Sequence, residues 1–318
     1  MTDSESPLPI SRVRHRPLSP RLMALLVMTS LLVFGVSGAS GLEVTLVLNT
    51  PDKDKVQGTL KDVKEDGTIT LIGAYGEQTF KQGQYLSAVC PEPAEHPLAK
   101  QSYLKAEYPK ALQLYEYVYA KYRVLGWGAA SLEGIGNCHR FTGNTDAAIE
   151  NYAKLLADYP NYAGSRRVKY VLAQVREKKT DLAAAVELYE QVAAEADDEL
   201  SAASLRNIGN ILYLSQKYED ALLQYLRVAI LYQNLPQAPV AECMFRAADC
   251  FEILADTRPP QEAAKLRERA KKYYLDVVTR FPQSEFAKPA RLRYQELSAG
   301  APTATTDPKE KPSAEAGT

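Results

Sequence analysis

Residues 132–160 read LEGIGNCHRFTGNTDAAIENYAKLLADYP, and the spacing of small and aromatic residues in this stretch decides the fold. Ile135-Gly136, the turn Gly143-Asn144, then Ala148, Tyr152 and Pro160 mark two short helices joined by a tight turn. The pattern recurs. Ala111, Ala148, Ala185, Ala221 and Ala270 are each followed four residues later by a tyrosine: Tyr115, Tyr152, Tyr189, Tyr225 and Tyr274. The alanines stand 37, 37, 36 and 49 residues apart, and Ala99, Gly136, Ala173 and Gly209 lie twelve residues before the first four. Self-similarity at this period means one helix hairpin per repeat. The small residues let the two backbones of a hairpin approach closely, and each tyrosine is expected to fill the gap toward the next hairpin.

Working outward, a fourth copy reads Leu205, Ile208-Gly209, Tyr218-Glu219-Asp220-Ala221 and Tyr225. The first copy keeps its turn and second helix (Ala106 to Ala111), while Pro97 is expected to shorten its first helix. The third departs most, with Lys169 where a large apolar residue is usual. The fifth has Met244, Ala247-Ala248 and Phe251. About ten extra residues around Asp256 to Glu262 then predict a longer loop or a lengthened second helix. This grammar resembles the tetratricopeptide repeat over about 200 of the 318 residues. The resemblance implies a mainly α protein, an α-α superhelix of about five hairpins, used as a scaffold that binds another protein. Tyr273 to Leu297 (YYLDVVTRFPQSEFAKPARLRYQEL) further resembles repeats of bacterial envelope proteins that organise the outer membrane.

Ahead of the repeats, Val44, Leu46 and Leu48 alternate along one strand, and a second covers Gln57 to Val63. Asp66-Gly67 is a tight-hairpin signal feeding Thr68 to Ile72. Glu77 to Phe80 and Gln84 to Val89 complete five short strands, a small all-β, barrel-like module. On strand count and the step from Val56-Gln57-Gly58 to Thr59-Leu60, it is similar in plan to Sm-like and SH3-like barrels. Such barrels can bind RNA or peptides; with no basic patch here, a packing or docking module is the expectation.

Arg12, Arg14, Arg16 and Arg21, the apolar run Leu22 to Val36 and the small residues Ser37 to Gly41 form a targeting segment. Fifteen apolar residues suit a signal-peptide core better than a bilayer span of about 20. Cleavage after Ala39 would start the mature chain at Ser40; an uncleaved inner-membrane anchor over 22–41 is the alternative. Export to a bacterial periplasm or cell envelope is expected. The division is thus 1–41 targeting segment, 42–90 β module and 91–97 rigid linker. Repeats follow at about 98–125, 129–162, 166–199, 202–235 and 241–283, with a capping helix at 284–298. A tail at 299–318, with Pro302, Pro308 and Pro312, reads as disordered.

Charge is nearly balanced, 38 Lys+Arg against 39 Asp+Glu, so no nucleic-acid partner is implied. Cys90, Cys138, Cys243 and Cys250 invite disulfides in an exported chain, but their places in the repeats favour buried free thiols. His15, His96 and His139 are the only histidines; His139 reads as a packed side chain, and Cys138-His139 lacks a second ligand pair for a metal. Gly126-Trp127-Gly128 and Gly134-Ile135-Gly136 lack the third glycine and preceding strand of a nucleotide fingerprint. No catalytic group, cofactor or metal is expected.

The expected functional surface is the concave side, lined by the first helix of each hairpin: Glu133, Asn137 and Arg140; Arg167, Tyr170, Gln174 and Glu177; Arg206, Asn210 and Tyr213; Glu242 and Asp249. Some family members clamp a partner's C-terminal carboxylate with asparagines placed like Asn137 and Asn210. Glu133 stands where that clamp needs a lysine, which excludes it here. A mixed polar and tyrosine lining is what an extended peptide segment would meet. Two other functions compete: an envelope polysaccharide hydrolase using exposed carboxylates, and a structural subunit of an envelope assembly complex. Membrane contact would come only through an uncleaved N-terminal segment.

Overall fold

The computed structural model describes residues 41–299, so the targeting segment over 1–41 and the tail over 299–318 lie outside it but for one residue each. Five strands come first: β1 (Glu43–Leu48), β2 (Lys55–Val63), β3 (Ile69–Gly73), β4 (Gly76–Phe80) and β5 (Tyr85–Val89). They form one antiparallel sheet ordered β4-β3-β2-β1-β5. No ladder joins β4 to β5 among the described residues, so the expected barrel is an open sheet. Gly67 turns the β2–β3 hairpin with φ of 81°, as the Asp66-Gly67 signal requires. Tyr85 then donates from its hydroxyl to the Gly67 carbonyl at 2.6 Å, fixing the turn against β5.

Eleven helices follow among the described residues, as five hairpins and a final helix. The hairpins are α1 (Glu95–Leu104) with α2 (Tyr108–Tyr122), α3 (Gly128–Phe141) with α4 (Thr145–Asp158), and α5 (Ser165–Lys178) with α6 (Leu182–Glu195). Next come α7 (Glu199–Leu214) with α8 (Tyr218–Leu231), α9 (Val240–Ala255) with α10 (Pro260–Arg280), and α11 (Ala287–Ala299). The mainly α fold with a preceding β unit is the one the sequence predicts. The extra residues in the fifth repeat lengthen its second helix, which Pro260 opens at the position where a missing N–H costs nothing. Helix α1 begins at Glu95, so the linker expected over 91–97 is shorter. Pro97 is its third residue, in the first turn, and at 10 residues this is the shortest of the first helices, as expected.

One turn geometry serves four hairpins. Ala106, Gly143, Thr180 and Gln216 all have positive φ, between 59° and 82°, and recur 37, 37 and 36 residues apart. Each ends a first helix in the left-handed conformation, and the next N–H reaches back five residues to a carbonyl. These bonds are Glu107 to Ser102, Asn144 to His139, Asp181 to Arg176 and Lys217 to Leu212, at 2.9–3.0 Å. Only the second hairpin uses glycine there. A β-branched residue such as Thr180 holds that shape at a cost of about 1 kcal/mol.

The sheet is not a free module. Val44, Leu46, Ile69 and Leu71 share one core with Val118 and Tyr122 of α2 and with Leu125 just after it. Cys90 and Leu125 are joined through their backbones at 3.2 Å, Trp127 donates to the Cys90 carbonyl at 3.2 Å, and Arg123 to the Glu65 carbonyl at 2.7 Å. His96 is buried beside Trp127, 4.6 Å between rings, with Nδ1 2.6 Å from Glu92 Oε1. The Pro91-Glu92-Pro93 segment is thereby clamped between sheet and first hairpin. All four cysteines are buried and unbonded, and burial raises the Cys138 thiol to about 11.

Candidate functional site

The five repeat alanines are fully buried, and Tyr152, Tyr189, Tyr225 and Tyr274 are buried with them. The close approach is between a small residue on the first helix and the tyrosine ring on the second. A Cβ added at Gly136 would stand 2.6 Å from the Tyr152 ring, and one at Gly209 2.6 Å from Tyr225. These tyrosines therefore fill their own hairpin, where the sequence had suggested the gap to the next one. Tyr115 does bridge, because a Cβ at Gly134 of α3 would meet its ring at 2.6 Å.

Each buried ring must also satisfy its hydroxyl, and the first helices supply the acceptors. Tyr152 donates to Asn137 Oδ1 at 2.7 Å and Tyr225 to Asn210 Oδ1 at 2.7 Å. Tyr189 donates to Glu177 Oε2 at 2.9 Å, one turn further along α5 than the asparagine position. Its hairpin carries Gln174 where the others have Asn137 and Asn210. Tyr274 lies within reach of two carboxylates, Asp249 Oδ1 at 2.7 Å and Glu252 Oε1 at 2.6 Å. Desolvation raises all these phenols above their ordinary value, so they stay protonated donors.

Four of the twelve expected lining residues, Asn137, Glu177, Asn210 and Asp249, are thus partners of the buried tyrosines rather than free groove groups. Removing Asn137 should accordingly affect folding, contrary to a purely lining role. Asn137→Ala leaves the Tyr152 hydroxyl unpaired and is expected to cost about 1–3 kcal/mol in chemical denaturation. Tyr152→Phe with Asn137→Ala should recover part of that loss, which a double-mutant cycle measures.

Of the other eight, Arg167 is exposed and the rest are half-buried. Glu133 accepts from Tyr162 at 2.8 Å, and Arg140 lies 4.4 Å over the Phe141 ring with its Nε buried and unpartnered. Tyr170 packs edge-on to Tyr189 and takes a bond from Asn207 at 3.4 Å. Arg206 reaches Glu242 on α9 at 3.3 Å, a pair shielded on both sides. Tyr213 packs against Tyr218, with the Arg246 guanidinium 5.7 Å from its ring centre. Links from α5 to α7 and from α7 to α9 show that successive first helices present one continuous face.

Sequence reading missed Arg246 and Phe245, which belong to that face. Their equivalents in earlier hairpins, Asn207 and Arg206, would have pointed to them. It also missed what braces the third hairpin. Lys169, odd at an apolar position, pairs with Glu195 at 2.6 Å. Arg166 binds the Val192 carbonyl at 3.1 Å, Asp198 Oδ1 at 2.8 Å and Ser201 Oγ at 2.6 Å, locking α5 to the start of α7. The Arg166 guanidinium, with the capping bond from Ser201, holds Asp198 well below the usual carboxylate range.

Residues 130–162, which span α3, α4 and the turn after them, match the tetratricopeptide repeat family model. No curated protein matches the sequence. Among solved structures, a tetratricopeptide repeat protein from Parabacteroides merdae shares the fold at 11% identity and a TM-score of 0.50. It covers 64% of this chain and 72% of its own. YrrB, described as a tetratricopeptide repeat protein with an unusual peptide-binding site, aligns at 16% identity and a TM-score of 0.45, over 62% of this chain and 90% of that one. MamA aligns at 13% identity and a TM-score of 0.44, over 67% and 96%. At these identities the likeness is one of fold.

Proposed function

We propose that this chain, a tetratricopeptide-repeat protein, is a non-catalytic scaffold of the cell envelope whose first-helix face holds an extended segment of a partner protein. One observation carries the reading. After the buried tyrosines have taken their acceptors, a row of half-buried and exposed polar and aromatic side chains remains along the first helices. Arg140, Arg167, Tyr170, Gln174, Arg206 and Tyr213 offer donors and aromatic faces along three successive hairpins, the chemistry an extended backbone and its side chains require. The basic N-terminal stretch and apolar run of residues 12–36 support the envelope location. The hydrolase alternative finds less support. Glu177, Asp249 and Glu252 are committed to tyrosine hydroxyls, and Glu242 to Arg206.

Photo-crosslinking in the native host tests the reading. A crosslinking residue at Gln174 or Arg167 should give discrete protein adducts, and one at the exposed Glu187 of α6 should not. Adducts confined to Glu187 and its neighbours on the second helices would assign the contact to the opposite face and overturn it.

A further inference from the structure

The buried polar cluster of the fifth hairpin holds fewer protons than its oxygens demand. Tyr274 Oη stands 2.7 Å from Asp249 Oδ1 and 2.6 Å from Glu252 Oε1, but a hydroxyl has one hydrogen. If both carboxylates were ionised, one of them would face a lone pair of the phenol oxygen at bonding distance, away from water. The geometry is satisfied when one carboxyl carries a proton and donates to Tyr274, while Tyr274 donates to the other.

The neighbours say which is which. Glu252 Oε2 takes a charge-assisted bond from Arg293 of α11 at 2.6 Å, so Glu252 is the ionised partner. Asp249 has only the longer contact to Arg246, 3.4 Å from its second oxygen. The chain therefore runs Asp249 O–H to Tyr274, Tyr274 O–H to Glu252, and Glu252 to Arg293, from α9 to the last helix. We propose that Asp249 and Glu252 hold one proton between them through the Tyr274 hydroxyl, and that losing it loosens α11 and the fifth hairpin.

The charged and titratable groups around the pair are Glu242 and Arg246 on α9, Tyr274 on α10, and Arg293 with Glu296 on α11. Arg246 also faces Tyr213 and Tyr225 of the fourth hairpin. Burial outweighs the two arginines and the Tyr274 bond, lifting Asp249 from 3.8 to about 6 and Glu252 in the same direction. The sign follows. A carboxyl raised in the folded state stabilises fully at low pH, and that contribution is lost as pH rises from about 4 toward 6. Asp198, lowered by Arg166, acts in the opposite sense and below pH 4, so the two windows do not overlap.

The test compares wild type with Asp249→Asn, whose amide donates to Tyr274 at every pH. Denaturant unfolding between pH 4 and 8 should show the wild-type unfolding constant rising relative to the variant by roughly a hundredfold, levelling above pH 6. Hydrogen exchange, corrected for intrinsic rate, should show α11 losing protection relative to α3 over the same range in wild type only. Parallel pH profiles in the two proteins would overturn the proposal. If Asp249→Asn fails to fold, wild-type exchange decides alone: α11 protection that falls with pH supports the shared proton, and protection independent of pH rejects it.

Discussion

Replacing Ala221 with leucine should lower stability by about 1–3 kcal/mol, with Ala148→Leu behaving alike. Both alanines are fully buried at the start of their second helices, one turn before the ring that presses on Gly136 or Gly209. Three added carbons have no space, so the hairpin opens and Tyr152 or Tyr225 is drawn off its asparagine. A stack of hairpins communicates through neighbours, so the loosening spreads to the adjacent repeats. Melting curves measure it. Arg167→Ala is the proper surface control, being exposed and making no hydrogen bond or ion pair among the described residues, and should melt like wild type. Tyr213→Ala is a poorer one, since Tyr213 is half-buried against Tyr218 and Arg246. Wild-type melting of Ala221→Leu would place the close contact elsewhere.

Glu252→Ala should cost as much or more, about 3 kcal/mol. Glu252 is 5% exposed and bonded to both α10 and α11, through Tyr274 and Arg293. Truncation strands a guanidinium and a hydroxyl together; breaking one partner of a buried pair typically costs about 3–5 kcal/mol. The lower figure applies because Arg293 retains Glu296 at 2.7 Å and some solvent contact. Chemical denaturation should show α11 and α10 lost first, by tryptic cleavage at Arg291 before sites in α3 or α4. Glu252→Gln, which keeps the shape and one acceptor, should lose less. Equal losses in the two variants would mean that charge at Glu252 contributes nothing.

The repeats were legible because their determinants are local and periodic. Small residues and tyrosines at fixed intervals report a packing constraint that every hairpin repeats. The strands were legible for the same reason, through alternation and the Asp66-Gly67 turn. What sequence could not give was which polar residues the fold consumes. Asn137 and Asn210 look like surface groups until the tyrosine hydroxyls of the second helices reach them, a contact that the packed hairpin alone reveals. The union of the sheet with α2 was equally hidden, since Val118, Tyr122 and Leu125 read as ordinary helix residues. Three of the four first-helix turns gave no glycine to mark them, because Ala106, Thr180 and Gln216 adopt the left-handed shape without it.

A hairpin stack can in principle continue past its last hairpin, but here Phe286, Ala287 and Ala290 cover the fifth one, while the sheet packs against α2. Neighbouring first helices about 10 Å apart would match about three residues of an extended segment at about 3.3 Å each. Helices α3, α5, α7 and α9 together measure out about ten residues. A shorter epitope would leave part of the face wet, and a longer one would have to bend away over the sheet or over α11. Under the proposed function, such a face would gauge segment length as well as segment chemistry.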